Sequence, residues 1–245
     1  MASINIDKIT ILQELIDKAN YIVFFGGAGV SVESGIPDFR SIDGLYNQKY
    51  KYNPEIILSS RFFYAKPHEF YEFYKDKMLC LDALPNECHK YLVRLEKSNK
   101  LKAIITQNID GLHQKAGSNC VYELHGSIHR NTCLECGKKF DGEYIKKSGL
   151  LPLCDKCGGL IKPDVVLYEE GLDEHTINES LFHINKADLI IIGGTSLKVY
   201  PAAGFIRYAN KDAKIVLLNK ELPELDVNAS LLILGEIGKI CSKLK

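Results

Sequence analysis

Short apolar runs recur along the chain, and each ends on glycine or a hydrogen-bonding residue. Tyr21-Ile-Val-Phe-Phe25 stops at Gly26-Gly27-Ala28-Gly29, and Lys102-Ala-Ile-Ile-Thr106 at Gln107-Asn108-Ile109-Asp110. Val121-Tyr-Glu-Leu124 is followed by His125-Gly126, Asp188-Leu-Ile-Ile-Ile192 by Gly193-Gly194-Thr195-Ser196, and Lys214-Ile-Val-Leu-Leu218 by Asn219. Such runs are too short for helices and suit strands buried on both faces. Apolar positions at helical spacing lie between them: Ile9, Leu12, Ile16 and Ala19 within residues 5–19, and His89, Leu92, Val93 and Leu95 within 86–98. The alternation predicts an α/β fold: a Rossmann-like, largely parallel sheet with helices on both faces. Parallel sheets bind ligands beyond the carboxyl ends of their strands, so the five sets of polar and glycine residues should converge on one crevice.

Two stretches interrupt the pattern. From about residue 37 to 80 the chain is rich in Tyr, Phe, Asn and Pro, with a helix over 67–79 that carries Phe70, Tyr71, Phe73 and Tyr74. It is an insertion covering the crevice and lining an apolar groove, or an aromatic satellite core. Residues 126–160 are Lys- and Gly-rich and too poor in apolar residues to fold unaided. The expected organisation is therefore a main domain of 1–125 and 161–245 with a small module at 126–160, after which 162–169 re-enters the main domain in extended form.

Four of the eight cysteines form Cys133-x-x-Cys136 and Cys154-x-x-Cys157, with seventeen residues between the pairs. This spacing suits a tetrathiolate zinc site, and glycines beside each pair supply the tight turns. Four thiolates leave no open position, so the metal would be structural. Two disulfides are the alternative. Lys plus Arg and Asp plus Glu number 31 each, so no global field recruits nucleic acid or an anionic membrane. The first residues lack the apolar core of a secretory signal, and no run approaches a membrane span. A cytoplasmic protein is expected.

The first run carries the chemistry furthest. Glycines at its end let the backbone turn and approach a ligand, and a short helix over 28–34 would aim free N–H groups at an anion. Yet the dinucleotide pattern Gly-x-Gly-x-x-Gly fails, because position 32 is Val32. No acid-tipped second strand follows to hold a ribose, so a hydride-transferring dehydrogenase is disfavoured.

Taken together, Gly27-Ala-Gly-Val-Ser-Val-Glu-Ser-Gly-Ile-Pro-Asp-Phe-Arg40, Thr106-Gln-Asn-Ile-Asp-Gly-Leu-His113, His125-Gly126, the four paired cysteines and Gly194-Thr-Ser196 resemble the sirtuins. The resemblance covers about residues 7–240. It implies an NAD-dependent protein lysine deacylase that cleaves NAD at the nicotinamide–ribose bond, passes the acyl group to the ribose, and releases O-acyl-ADP-ribose. His125 matches the family's general base and Asn108 the residue that positions water and ribose. Ile109 and Asp110 match the groups holding the nicotinamide carboxamide. Gln107 matches a ribose contact, while Gly27, Ala28, Gly29, Phe39, Arg40, Gly194, Thr195, Ser196 and Asn219 fall in the dinucleotide motifs. Val166 and Tyr168 match the segment that pairs with the substrate backbone.

The resemblance implies acylated lysine side chains of proteins as substrates, with NAD as co-substrate and structural zinc. The Tyr and Arg that grip acidic acyl groups in some sirtuins align with Tyr74 and Lys77, so a bidentate guanidinium is missing and neutral acyl groups are favoured. Tyr168-Glu169-Glu170 stands where many sirtuins have Phe-Gly-Glu. His113 fits its motif but reads as supporting structure. Competing readings are a protein ADP-ribosyltransferase and a zinc scaffold that binds NAD or ADP-ribose without cleaving it.

Overall fold

The computed structural model describes residues 6–38, 50–221 and 228–245. Phe39 and Arg40 lie outside the described residues. A six-stranded sheet has the order β3 (Val121–Glu123), β2 (Leu101–Thr106), β1 (Ile22–Gly26), β7 (Leu189–Gly193), β8 (Lys214–Asn219), β9 (Leu231–Leu234). Every pairing in it is parallel. The chain builds outward from β1 to β3 and later from β7 to β9, so the strand order reverses between β1 and β7. That reversal opens a crevice at the carboxyl ends of these two strands.

Alternation along the strands explains the two faces. Ile22 and Phe24 join a core with Ile9, Leu12 and Ile16 of α1 (Ile6–Lys18), Tyr91 and Leu92 of α5 (Glu87–Lys97), and Ile237 and Ile240 of α9 (Ile237–Cys241). Val23 and Phe25 point the other way, toward Ile184 of α8 (Glu174–Lys186) and Phe205 of a 3₁₀ segment, Ala202–Tyr208. Burying each such side chain contributes roughly 1.5–3 kcal/mol, which is why a sheet covered on both sides reads as continuous apolar runs. The sixth strand, β9, was not among the expected elements although Leu231-Leu-Ile-Leu234 is itself an apolar run.

A second, three-stranded sheet has the order β5 (Lys139–Phe140), β4 (Gly126–Cys133), β6 (Ile161–Val165), all antiparallel. The stretch expected to re-enter the main domain therefore stays beside β4 through Val165. Its core is shared. Ile57 of α2 (Pro54–Ile57), Phe62 and Phe63 of α3 (Ser60–Ala65), and Phe70, Tyr71 and Phe73 of α4 (Pro67–Phe73) pack with Ile128, Cys133, Phe140, Ile161 and Ile145 of α7 (Gly142–Lys147). The aromatic stretch and the cysteine-bearing stretch thus supply each other's apolar partners, and the Tyr71 hydroxyl donates to the Ile161 carbonyl.

The helix expected over 67–79 is α-helical only to Phe73 and continues as a π-helical turn, Tyr74–Met78. The helix expected over 28–34 is two 3₁₀ turns, Ala28–Val30 and Val32–Ser34, with Ser31 between them. Among the described residues, no helix is long and apolar enough to cross a membrane.

Candidate active site

Two glycine turns meet at the crevice. The Gly27 N–H donates to the Gly193 carbonyl at 3.0 Å and the Gly29 N–H to the Gly194 carbonyl at 2.8 Å. These two donors are spent inside the chain, so neither is one of the free N–H groups expected for an anion at this turn. The glycines serve close approach instead. A Cβ on Gly29 would lie 2.7 Å from the Gly194 Cα, and one on Gly194, at φ 61°, would lie 2.3 Å from the Val30 nitrogen. No L side chain fits there, so backbone forms this wall of the crevice.

The β2 end supplies the polar floor. Thr106 Oγ1 accepts from the Asn108 N–H at 3.0 Å, and the Gln107 side-chain amide donates to Thr195 Oγ1 at 3.0 Å. Asn219 reaches from β8 to the Thr195 carbonyl at 3.1 Å. Behind them Asn108 Nδ2 donates to Ser31 Oγ at 3.0 Å, and Ser31 Oγ donates to Asp110 Oδ2 at 2.6 Å. The other Asp110 oxygen accepts from the Leu112 N–H at 2.9 Å, at the start of α6 (Leu112–Ala116). Ser31, Asn108 and Asp110 are all buried. Ser31 was absent from the sequence-derived site. A small polar residue between two turns has no spacing signature, and only its two partners single it out.

His125 sits just past β3. Its Nδ1 lies 2.8 Å from the Gln107 carbonyl, which can only accept, so Nδ1 carries the proton and Nε2 keeps its lone pair. Burial pushes its pKa below the ordinary histidine value, against a smaller upward pull from that carbonyl. The ring is thus held neutral, as a proton acceptor at one defined atom.

The following segment is stitched in place from both sides. The Val166 N–H donates to the His125 carbonyl at 2.9 Å. The Tyr168 N–H and carbonyl pair with the Leu58 carbonyl and Ser60 N–H at 3.0 and 2.9 Å. Glu170 accepts from the Leu167 N–H and from Lys162. Ile109 and Ala28 lie half-buried on the loops around the crevice, and Ser196 follows Thr195 at its mouth.

Comparison with known proteins identifies the lineage of this constellation. A model of the Sir2 family matches residues 27–201. The chain is 57% identical over 238 residues to a Clostridium acetobutylicum protein named NAD-dependent protein deacetylase, covering 96% of this chain and 97% of that one. A Clostridium perfringens protein of the same name is 53% identical, with 97% and 98% covered. The chain belongs to the Sir2 family. Among solved structures, a Sir2 complex with deacetylated p53 peptide and 3′-O-acetyl ADP-ribose superposes with a TM-score of 0.89 at 37% identity, covering 96% of each chain. A Sir2–p53 peptide–NAD⁺ complex superposes at 0.84, also at 37% identity and with 96% of each chain covered.

In this Sir2 chain the four paired cysteines converge. Their sulfurs all lie within 4.8 Å of one another, with Cys133–Cys157 at 3.5 Å and Cys136–Cys154 at 3.7 Å. Thiolates around tetrahedral zinc at about 2.3 Å are separated by about 3.8 Å, so the four fit that ion. Disulfide sulfurs would be about 2.05 Å apart, and all eight cysteines are free.

The remaining Sir2 motif histidine, His113, is core. Its ring lies 4.7 Å from that of His89 and 6.1 Å from that of Phe24, and burial holds its pKa well below the ordinary value. Burial lowers His89 from 6.5 to about 4, with Asp110 pulling the other way. A folded-state pKa below the unfolded one makes the unfolded chain bind more protons, so the stability is fully present above 6.5 and declines as pH falls toward about 4. The expected loss for His89 is on the order of 3 kcal/mol by pH 4. Thermal melts across this window check it: His89→Phe should flatten the acid limb, and equal slopes in both proteins would refute the assignment.

Proposed function

We propose that this chain is an NAD-dependent protein lysine deacetylase that releases nicotinamide and O-acyl-ADP-ribose. The observation that carries the reading is the His125 ring, neutral and held with Nε2 as its acceptor, in the same crevice as the Ser31–Asn108–Asp110 cluster. The crevice fits NAD: its glycine wall admits no side chain, and polar groups from β1, β2, β7 and β8 converge around it. When bound, NAD supplies a nicotinamide–ribose bond whose cleavage leaves a sugar carbon open to the acyl oxygen.

The chain's own groups divide the remaining work. Gly27, Ala28, Gly29, Gly194, Thr195, Ser196, Gln107 and Asn219 would hold the dinucleotide, with Ile109 and Asp110 on its carboxamide. Asn108 orients ribose and water, and His125 Nε2 takes the proton of a sugar hydroxyl. Phe39 and Arg40 complete the cofactor motif by resemblance. Val166 and Tyr168 border the peptide. The N–H of each is already bonded within the chain, so an added peptide strand would use other backbone groups of the segment.

Neutral acyl groups fit this chain best. Tyr74 is fully buried and stacked on Phe70 at 5.5 Å, and its hydroxyl has no partner among the described residues. Lys77 is paired with Asp76 at 2.9 Å; the position holds an ammonium and not the planar guanidinium that grips a carboxylate with two bonds. Zinc held by Cys133, Cys136, Cys154 and Cys157 is structural in this reading. Eight free cysteines suit a reducing cytoplasm, and neither nucleic acid nor membrane is assigned as a partner.

Incubating the chain with NAD and an acetyl-lysine peptide tests the function by mass spectrometry. Nicotinamide and deacetylated peptide should appear in equal amounts. ADP-ribose transferred to protein would support the transferase instead, and NAD binding without nicotinamide release would support the scaffold.

A further inference from the structure

Asn86 lies outside the crevice, yet it grips both turns that carry Ser31. It is the N-cap of α5, where its Oδ1 accepts from the Cys88 N–H at 3.0 Å. Its Nδ2 spends both donors on the cofactor side, on the Val30 carbonyl at 2.7 Å and on Ser34 Oγ at 3.0 Å. Val30 ends the first 3₁₀ turn and Ser34 the second, so one amide clamps the chain on either side of Ser31. The clamp is itself anchored, because the Asn86 N–H donates to Nδ1 of the fully buried His89 at 3.2 Å.

We infer that Asn86 is a positioning residue for the cofactor site, setting Ser31 so that its hydroxyl orders Asp110 and Asn108 together. The inference rests on the function proposed above and goes beyond it in assigning a role to a helix cap. Ser31 bonds two residues that act on opposite sides of the reaction, the carboxamide holder and the water-positioning amide. The two turns are only three residues long and contribute little rigidity of their own. A tether outside them is what keeps the hydroxyl within reach of both partners.

The chemistry of the clamp allows its two jobs to be separated. Asn86→Asp keeps an acceptor for the Cys88 N–H, and Asp caps helices as well as Asn. It removes both donors and sets a carboxylate against the Val30 carbonyl. Asn86→Ala removes cap and tether alike. The purified full chain should show both variants melting below wild type, Asn86→Ala the lower of the two because it also loses the cap. For Asn86→Asp, kcat/KM for NAD should fall about tenfold or more, as Ser31 loses its place between Asp110 and Asn108. Acetyl-peptide affinity measured without NAD should stay unchanged.

Each outcome decides something. If wild type releases no nicotinamide, the proposed function fails. If wild type turns over and Asn86→Asp matches it, the positioning role fails. Peptide affinity falling along with the NAD kinetics would also overturn the role, since the substitution would then disturb the fold as a whole and not the cofactor turns.

Discussion

His125→Ala is expected to lower deacetylase turnover by about 10²–10⁴-fold, the span that a positioned general base contributes. The melting temperature and zinc content should stay near those of wild type, because the ring's one strong bond is to the Gln107 carbonyl. That carbonyl can be solvated once the ring is gone. The pH profile of kcat/KM carries a second, independent readout. Burial lowers the His125 pKa, so the neutral base persists below the ordinary histidine value of 6.5 and the acid limb should break below that pH. A break above 6.5 would mean that the charged ring is stabilised, contrary to its surroundings. Retention of turnover in the alanine variant would move the base to another residue altogether.

The crevice itself is legible in the sequence, for a physical reason. Strands β1, β2, β7 and β8 are covered on both faces, so their apolar runs stand out and their ends mark the crevice. The cysteine spacing was equally plain, since two short chelate turns leave few other uses. What remained hidden depends on contacts between distant segments. The aromatic helices at 54–78 and the cysteine-bearing sheet read as two insertions, yet they share one core that neither pattern alone could reveal. Asn86 was only the first residue of an expected helix, because its Nδ2 partners lie more than fifty residues away.

Glu169 shows how a departure from a family pattern acquires a cause. The residue stands where many sirtuins have glycine, and its backbone lies at φ 77°, in the left-handed region that glycine adopts freely. Here the side chain ties down the same turn, accepting from the Arg61 N–H at 3.2 Å and pairing with its guanidinium at 3.3 Å. Two contacts to Arg61 accompany a backbone conformation that glycine would adopt at lower cost.

Loss of the zinc proposed for the four paired cysteines should act on catalysis from a distance. Substituting Cys154 with alanine, or stripping zinc with a strong chelator, is expected to abolish most activity although no cysteine belongs to the crevice. Cys133 and Cys154 are buried within the core shared with the aromatic helices, so an unbound thiolate set opens that core. The small sheet also bonds directly to the loops around the crevice. The Ile128 N–H donates to the Ile109 carbonyl at 3.0 Å, and His129 Nε2 lies 3.0 Å from the Asp110 carbonyl. Just past β6, the Val166 N–H holds the His125 carbonyl. Disorder in β4 and β6 therefore reaches the Ile109–Asp110 loop and His125 together, while the six-stranded sheet keeps its own two cores. Metal content, turnover and proteolytic sensitivity measured on one chelation series check the coupling: cleavage should begin within 126–165 as activity falls. Full turnover in protein shown to be metal-free would detach the thiolate cluster from the function, and zinc restoring activity to a stably folded apo chain would make it a regulator rather than a structural element.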